Sequence, residues 1–180
     1  MASVTVGGNV ANLTGKELNV GDKAPVVELV AKDLSSIKVG GASDKIQVIA
    51  AVPSLDTGVC ATETRKFNKD IAGQEGVLLT VVSMDLPFAM GRFCSTEGIE
   101  NLQVGSDFRN KEFANAYGVL IKDGALAGLT ARAVFVVGKD GTIIHKEIVA
   151  EVTTEPNYDA IVAAIKSQSG CGCHSSCSTK

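Results

Sequence analysis

The chain lacks any concentration of positive charge. Its 17 lysines and arginines are scattered along 180 residues and are outnumbered by 20 acidic ones, giving a formal net charge of -3. A nucleic-acid partner is therefore not expected, since neutralising phosphates takes a clustered basic face. Long apolar runs are missing too: nothing approaches the roughly 20 residues that a membrane-spanning helix needs. The opening segment from Met1 to Gly8 has no basic stretch followed by an apolar one, so no secretory signal is read. No membrane association and a cytoplasmic location are the expectation. There is no internal repeat. Finally, five cysteines make an odd number, which a purely structural disulfide framework cannot use up.

What is present is an ordinary globular composition, 45% hydrophobic and 21% charged. That is enough for one sizeable core, and the length favours a single domain over residues 1–166. Residues Val4 to Val20 alternate around glycines like an N-terminal hairpin. Ile46 to Val52 reads as a buried strand stopped by Pro53, and Cys60 to Ile71 as a helix closed by Gly73. A second buried strand spans Val77 to Val82. A short helix over Leu86–Phe93, a strand near Leu102–Val104 and a helix over Asn110–Tyr117 follow. Ala133–Val137 and Thr142–Lys146 form a hairpin across Gly138 to Gly141, and Asn157–Lys166 is the last helix. This order predicts an α/β domain in which helices flank a central mixed β-sheet, compatible with a thioredoxin-like fold.

Three cysteines crowd the last ten residues, whereas Cys60 and Cys94 lie inside the domain. Cys60 falls in the first turn of a helix that follows a buried strand. There the unpaired backbone N–H groups and the positive end of the helix dipole favour thiolate over thiol, and the thiolate is the nucleophile. Catalysis of a displacement by that sulfur asks for more: donors pre-oriented toward the atom under attack and the one that departs. The Thr57 hydroxyl and the Cys60 N–H can face one small pocket, with Pro53 fixing the entry of the loop. A guanidinium would add charge and two donors in a rigid fork. Each residue also has a plainer reading: Cys60 as a small core residue, Thr57 as a helix cap, Pro53 as a strand terminator.

Pro53, Thr57 and Cys60 match the Pro-x-x-x-Thr-x-x-Cys signature of peroxiredoxins. The chain further resembles the bacterial thiol peroxidase subfamily in Asp85-Leu86-Pro87-Phe88-Ala89, Arg92-Phe93-Cys94 and Ser106-Asp107-Phe108-Arg109-Asn110. Ala116 to Val119, Gly128 to Ala133 and Thr153 to Pro156 match as well, in the order of the subfamily. The resemblance implies Cys60 as peroxidatic cysteine, Cys94 as resolving cysteine, Arg132 as the active-site guanidinium and Thr57 as the hydroxyl that contacts peroxide. It also implies a thioredoxin-like fold with an N-terminal β-hairpin, and no metal or organic cofactor. Substrates would be hydrogen peroxide and organic hydroperoxides, thioredoxin the reductant, and the assembly a homodimer. A disulfide needs Cα atoms within about 7 Å, so two helix-borne cysteines must loosen their helices to join. Gly58 and Gly91 lie near the two sulfurs and ease such unwinding.

Glu63 is expected to complement the helix dipole, Arg92 to be an exposed helix charge, and His145 to face solvent. Residues 167–180 differ in composition and read as a flexible tail. Within it Cys171, Cys173, His174 and Cys177 leave three readings open: no role, thiol exchange with Cys60 and Cys94, or a zinc or copper(I) site. Two other classes of function compete with peroxidase chemistry. One is a thiol–disulfide oxidoreductase, which would need a second cysteine one turn beyond Cys60, where Ala61, Thr62 and Glu63 stand. The other is a metal-binding protein acting through the tail.

Overall fold

The structure is a computed structural model and describes residues 2–169. The tail positions Cys171, Cys173, His174 and Cys177 lie outside the described residues. The chain opens with a hairpin of β1 (Ser3–Val6) and β2 (Asn9–Thr14). Gly7 and Gly8 both take positive φ, +56° and +83°, which a two-residue turn needs to match the twist of its strands. The hairpin is shorter than the expected Val4–Val20, and β2 also pairs with the two-residue β8 (Leu120–Ile121). Together these make a small three-stranded sheet.

The central sheet has seven strands. β5 (Ile46–Ala51), β6 (Val77–Ser83) and β7 (Gln103–Ser106) run parallel. On one side β5 pairs antiparallel with β9 (Ala133–Val137), which pairs with β10 (Ile143–Ile148). On the other, β7 pairs antiparallel with β3 (Val27–Ala31) and β3 with β4 (Ser36–Val39). The spatial order is β10-β9-β5-β6-β7-β3-β4. This is the mixed α/β architecture expected, with β3, β4 and β8 added to it.

Every residue of β5 is buried, because both faces of the sheet are covered. Its side chains alternate between the two layers. Ile49 and Ala51 meet the N-terminal hairpin and α3 (Glu112–Ala116), in a cluster with Leu13, Phe113 and Tyr117. Ile46, Val48 and Ala50 meet α1 (Gly58–Asp70), α2 (Pro87–Glu97) and α4 (Tyr158–Ser169), in a cluster with Phe67, Met90, Ile161 and Ile165. Cys60 and Cys94 both belong to this second layer. Helix α2 extends four residues past the expected Phe93, so that Cys94 lies within its last two turns; Gly98 ends it in the left-handed region. No helix among the described residues is long and apolar enough to cross a membrane.

Candidate active site

Strand β5 delivers the chain to Pro53, which is buried. The preceding carbonyl, that of Val52, accepts a 2.6 Å hydrogen bond from the buried Thr130 hydroxyl. Proline offers no N–H here and so leaves no donor unpaired. The chain then turns through Ser54–Asp56 into Thr57, the N-cap of α1. Thr57 has extended backbone angles, φ -91° and ψ 146°, and its Oγ1 accepts from the Cys60 N–H at 3.4 Å. The same hydroxyl donates to the Ser54 carbonyl at 3.1 Å. Cys60 thus lies in the first turn, as its sequence position predicts, and is fully buried.

Arg132 begins one residue before β9 and is 2% exposed. Its guanidinium is bound in three directions. Nε donates to the Val152 carbonyl at 2.9 Å and Nη2 to Cys60 Sγ at 3.0 Å, while Nη1 is paired with the Glu63 carboxylate. Of the residues named from sequence, Thr57, Cys60 and Arg132 are therefore linked by hydrogen bonds, with Pro53 buried at the entry to the same turn.

Glu63 corrects its expected role. It is beyond the first turn of α1 and fully buried, so it does not sit at the exposed positive end of the helix. Lying one turn after Cys60 on the same helix face, it meets the same arginine. Burial pushes its carboxyl up to about 7, against the pull of the Arg132 charge. Its Oε1 has no hydrogen-bond partner, which is part of why the ionised form is costly. Burial alone would lower Arg132, but the Glu63 carboxylate and the Cys60 sulfur outweigh it and hold the guanidinium above its ordinary value. One cation is thus shared between a carboxylate and a sulfur. That arrangement places fixed positive charge and a directed donor on the Cys60 sulfur.

Cys94, like Cys60, is not joined in a disulfide and is buried within α2. Burial raises its thiol, with Lys32 opposing. The helices are cross-linked by Arg65 on α1 and Glu97 on α2 at 2.7 Å. Two openings flank the Cys60 turn. One, of about 180 Å³, is lined by Asp56, Ala89, Arg92, Phe93, Thr96 and Glu97. The other, of about 400 Å³, lies between Gly58, Val59 and Thr62 on α1 and Thr153, Thr154 and Glu155. Arg92 is exposed, as expected. His145 is not fully solvent-facing: it is half-buried on β10, and its Nε2 is buried without a hydrogen-bond partner.

The Redoxin family matches residues 19–162 of the chain. The thiol peroxidase of Campylobacter jejuni is 56% identical over 177 residues, covering 97% of this chain and 100% of that protein. The chain belongs to the thiol peroxidase family of peroxiredoxins. The thiol peroxidase of Aquifex aeolicus is 54% identical over 91% of this chain and 96% of its own length. A solved structure of a peroxiredoxin-like protein from Aquifex aeolicus superposes with a TM-score of 0.90 at 53% identity, covering 93% of this chain and 98% of the other. The thiol peroxidase from Chromobacterium violaceum shares the fold, with a TM-score of 0.85 at 22% identity, over 94% of this peroxiredoxin and 98% of its own chain.

Proposed function

We propose that this peroxiredoxin reduces hydrogen peroxide and organic hydroperoxides through Cys60. The observation that carries the reading is the Arg132 Nη2 donor 3.0 Å from Cys60 Sγ, at a helix start capped by Thr57. The thiolate attacks one peroxide oxygen: an S–O bond forms, the O–O bond breaks, and the departing oxygen takes a proton to leave as water or alcohol. Arg132 and the Cys60 N–H stabilise the charge that develops on the oxygens. Cys60 is left as a sulfenic acid. The thiolate of Cys94 then attacks its sulfur, forming the Cys60–Cys94 disulfide and releasing water. Because both cysteines are helical, this step requires the first turn of α1 and part of α2 to loosen. A dithiol of the thioredoxin kind restores both thiols by exchange.

The chain acts as a homodimer in this reading. Support comes from Leu86 and Phe88, 53% and 69% exposed, with the partly exposed Phe108 on a neighbouring segment. Reduced protein and a Cys60→Ser variant, each supplied with thioredoxin and its reductase, are compared for consumption of cumene hydroperoxide. Rapid turnover by the first and background turnover by the second is the expected result. Equal rates reject the proposal.

A further inference from the structure

Asp85 has no part in the chemistry described above, yet the turn that carries Cys60 is fastened to it. Its carboxylate accepts three hydrogen bonds: from the Ser54 hydroxyl to Oδ1 at 2.7 Å, and from the Leu55 N–H and the Ser83 hydroxyl to Oδ2 at 2.7 and 2.8 Å. Its own N–H donates to Ser83 Oγ at 3.2 Å, and its carbonyl accepts from the Ser106 hydroxyl. The backbone of Asp85 is therefore fixed at the ends of β6 and β7, and Ser83 also holds its side chain where it reaches the loop. Two residues later α2 begins, with Leu86 as its N-cap.

From Asp85 the connection to Cys60 is short. The Ser54 carbonyl accepts from both the N–H and the hydroxyl of Thr57, at 3.3 and 3.1 Å. Thr57 Oγ1 in turn accepts from the Cys60 N–H. Pro53 contributes no donor, so the N–H and hydroxyl bonds of the Ser54–Leu55 pair to the rest of the protein converge on this one carboxylate. Arg132 approaches Cys60 from a different side, held by Val152 and Glu63, and shares none of these bonds.

We infer that Asp85 is a positioning residue for peroxide attack: through Ser54 and Thr57 it sets where the Cys60 N–H and the Thr57 hydroxyl point, and it ties that turn to the root of the helix bearing Cys94. This rests on the peroxidase reading. Two functions of the site then separate. Thiolate formation depends on Arg132 and the helix start, whereas alignment of the donors around the peroxide depends on Asp85. A misplacement of about 1 Å in such a constellation costs on the order of a hundredfold in rate.

The test compares Asp85→Ala and Asp85→Asn with wild type in two reactions of reduced Cys60: single-turnover oxidation by peroxide, and alkylation by iodoacetamide, which needs a thiolate but no peroxide geometry. Asp85→Ala is expected to lose about ten- to a hundredfold in oxidation rate while being alkylated at or above the wild-type rate. Asp85→Asn recovers most of the loss, since its amide oxygen still accepts from the Leu55 N–H and its NH₂ can donate to Ser54 Oγ. A parallel fall in both reactions, or oxidation of Asp85→Ala within about twofold of wild type, overturns the inference. If Asp85→Ala does not fold, Ser54→Ala, which removes one link and leaves that of Leu55, is expected to slow oxidation severalfold with alkylation unchanged; unchanged oxidation there also overturns it. Wild-type oxidation no faster than that of free cysteine sinks the peroxidase reading itself. A fast wild type with an unaffected Asp85→Ala sinks only the role of Asp85.

Discussion

Replacing Arg132 by methionine keeps the aliphatic bulk and removes a buried cation bound on three sides. Two losses follow, and they depend differently on pH. Loss of the bond to the Val152 carbonyl costs roughly 1–3 kcal/mol at any pH. The remaining loss comes from Glu63, left buried without its partner. Its carboxyl already stands at about 7 in the folded protein against an ordinary 4.5, and without the pull of Arg132 it rises further. A carboxyl raised by folding contributes its stability below the unfolded value and loses it as pH rises through the folded one. In the wild type that loss ends near pH 7, whereas in the variant it continues beyond. At pH 6 Glu63 is largely neutral in both, so the deficit of the variant stays near 1–3 kcal/mol. At pH 8 it grows toward the ~3–5 kcal/mol typical of a broken buried ion pair. Urea unfolding at the two pH values measures this. Stopped-flow oxidation of Cys60 by peroxide should fall about 10²–10³-fold, the usual cost of removing one pre-oriented donor. An equal stability deficit at pH 6 and pH 8, or oxidation within about threefold of wild type, would refute the reasoning.

Two further outcomes follow from the same geometry. Glu63→Gln removes the titrating group and leaves an oxygen for Arg132, so the decline in wild-type stability between about pH 4.5 and 7 should flatten in urea unfolding; an unchanged slope would show that Glu63 is not its source. Thr57→Val deletes the acceptor of the Cys60 N–H and should cost about 1 kcal/mol of stability together with a slower peroxide oxidation, both recovered in Thr57→Ser; a variant as stable and as fast as wild type would remove Thr57 from the account.

The parts of the fold that could be read from sequence are those whose pattern is local. β5 and β6 are mostly apolar runs, interrupted only by Gln47 and Thr80 and bounded by Pro53 and Gly76, and the hairpin of β9 and β10 turns on Gly138 to Gly141. Within α1, the helical spacing of Thr64 and Phe67 marks part of the face that the structure buries. β3 and β4 escaped because their evidence is distant: Val30 and Ala31 pair with Ser106 and Gly105, over 70 positions away. The four-residue β4, with exposed Ser36 and Lys38, is too short to show a period. The α3 segment shrank from eight expected residues to five because Asp107, not a residue adjacent to the helix, caps it through the N–H groups of Phe113 and Ala114. At the site, the position of Cys60 in the first turn of a helix was legible from the local pattern, and Arg132 was named by the family resemblance. Glu63 was misread because its burial depends on Arg132, 69 positions along the chain. Its spacing of one turn from Cys60 was the available signal. Asp85 stood inside a recognised motif, but its partners Ser54 and Leu55 are brought to it only by the parallel pairing of β5 and β6.

The claim that Cys60 and Cys94 form one peroxide-reducing pair is tested most directly by giving fully reduced protein a single equivalent of peroxide and mapping its thiols by peptide mass spectrometry. Loss of two thiols and a peptide pair joined through Cys60 and Cys94 are expected, with Cys171, Cys173 and Cys177 still reduced. Recovery of Cys60 as a free thiol, or joined to a tail cysteine while Cys94 stays reduced, would contradict it.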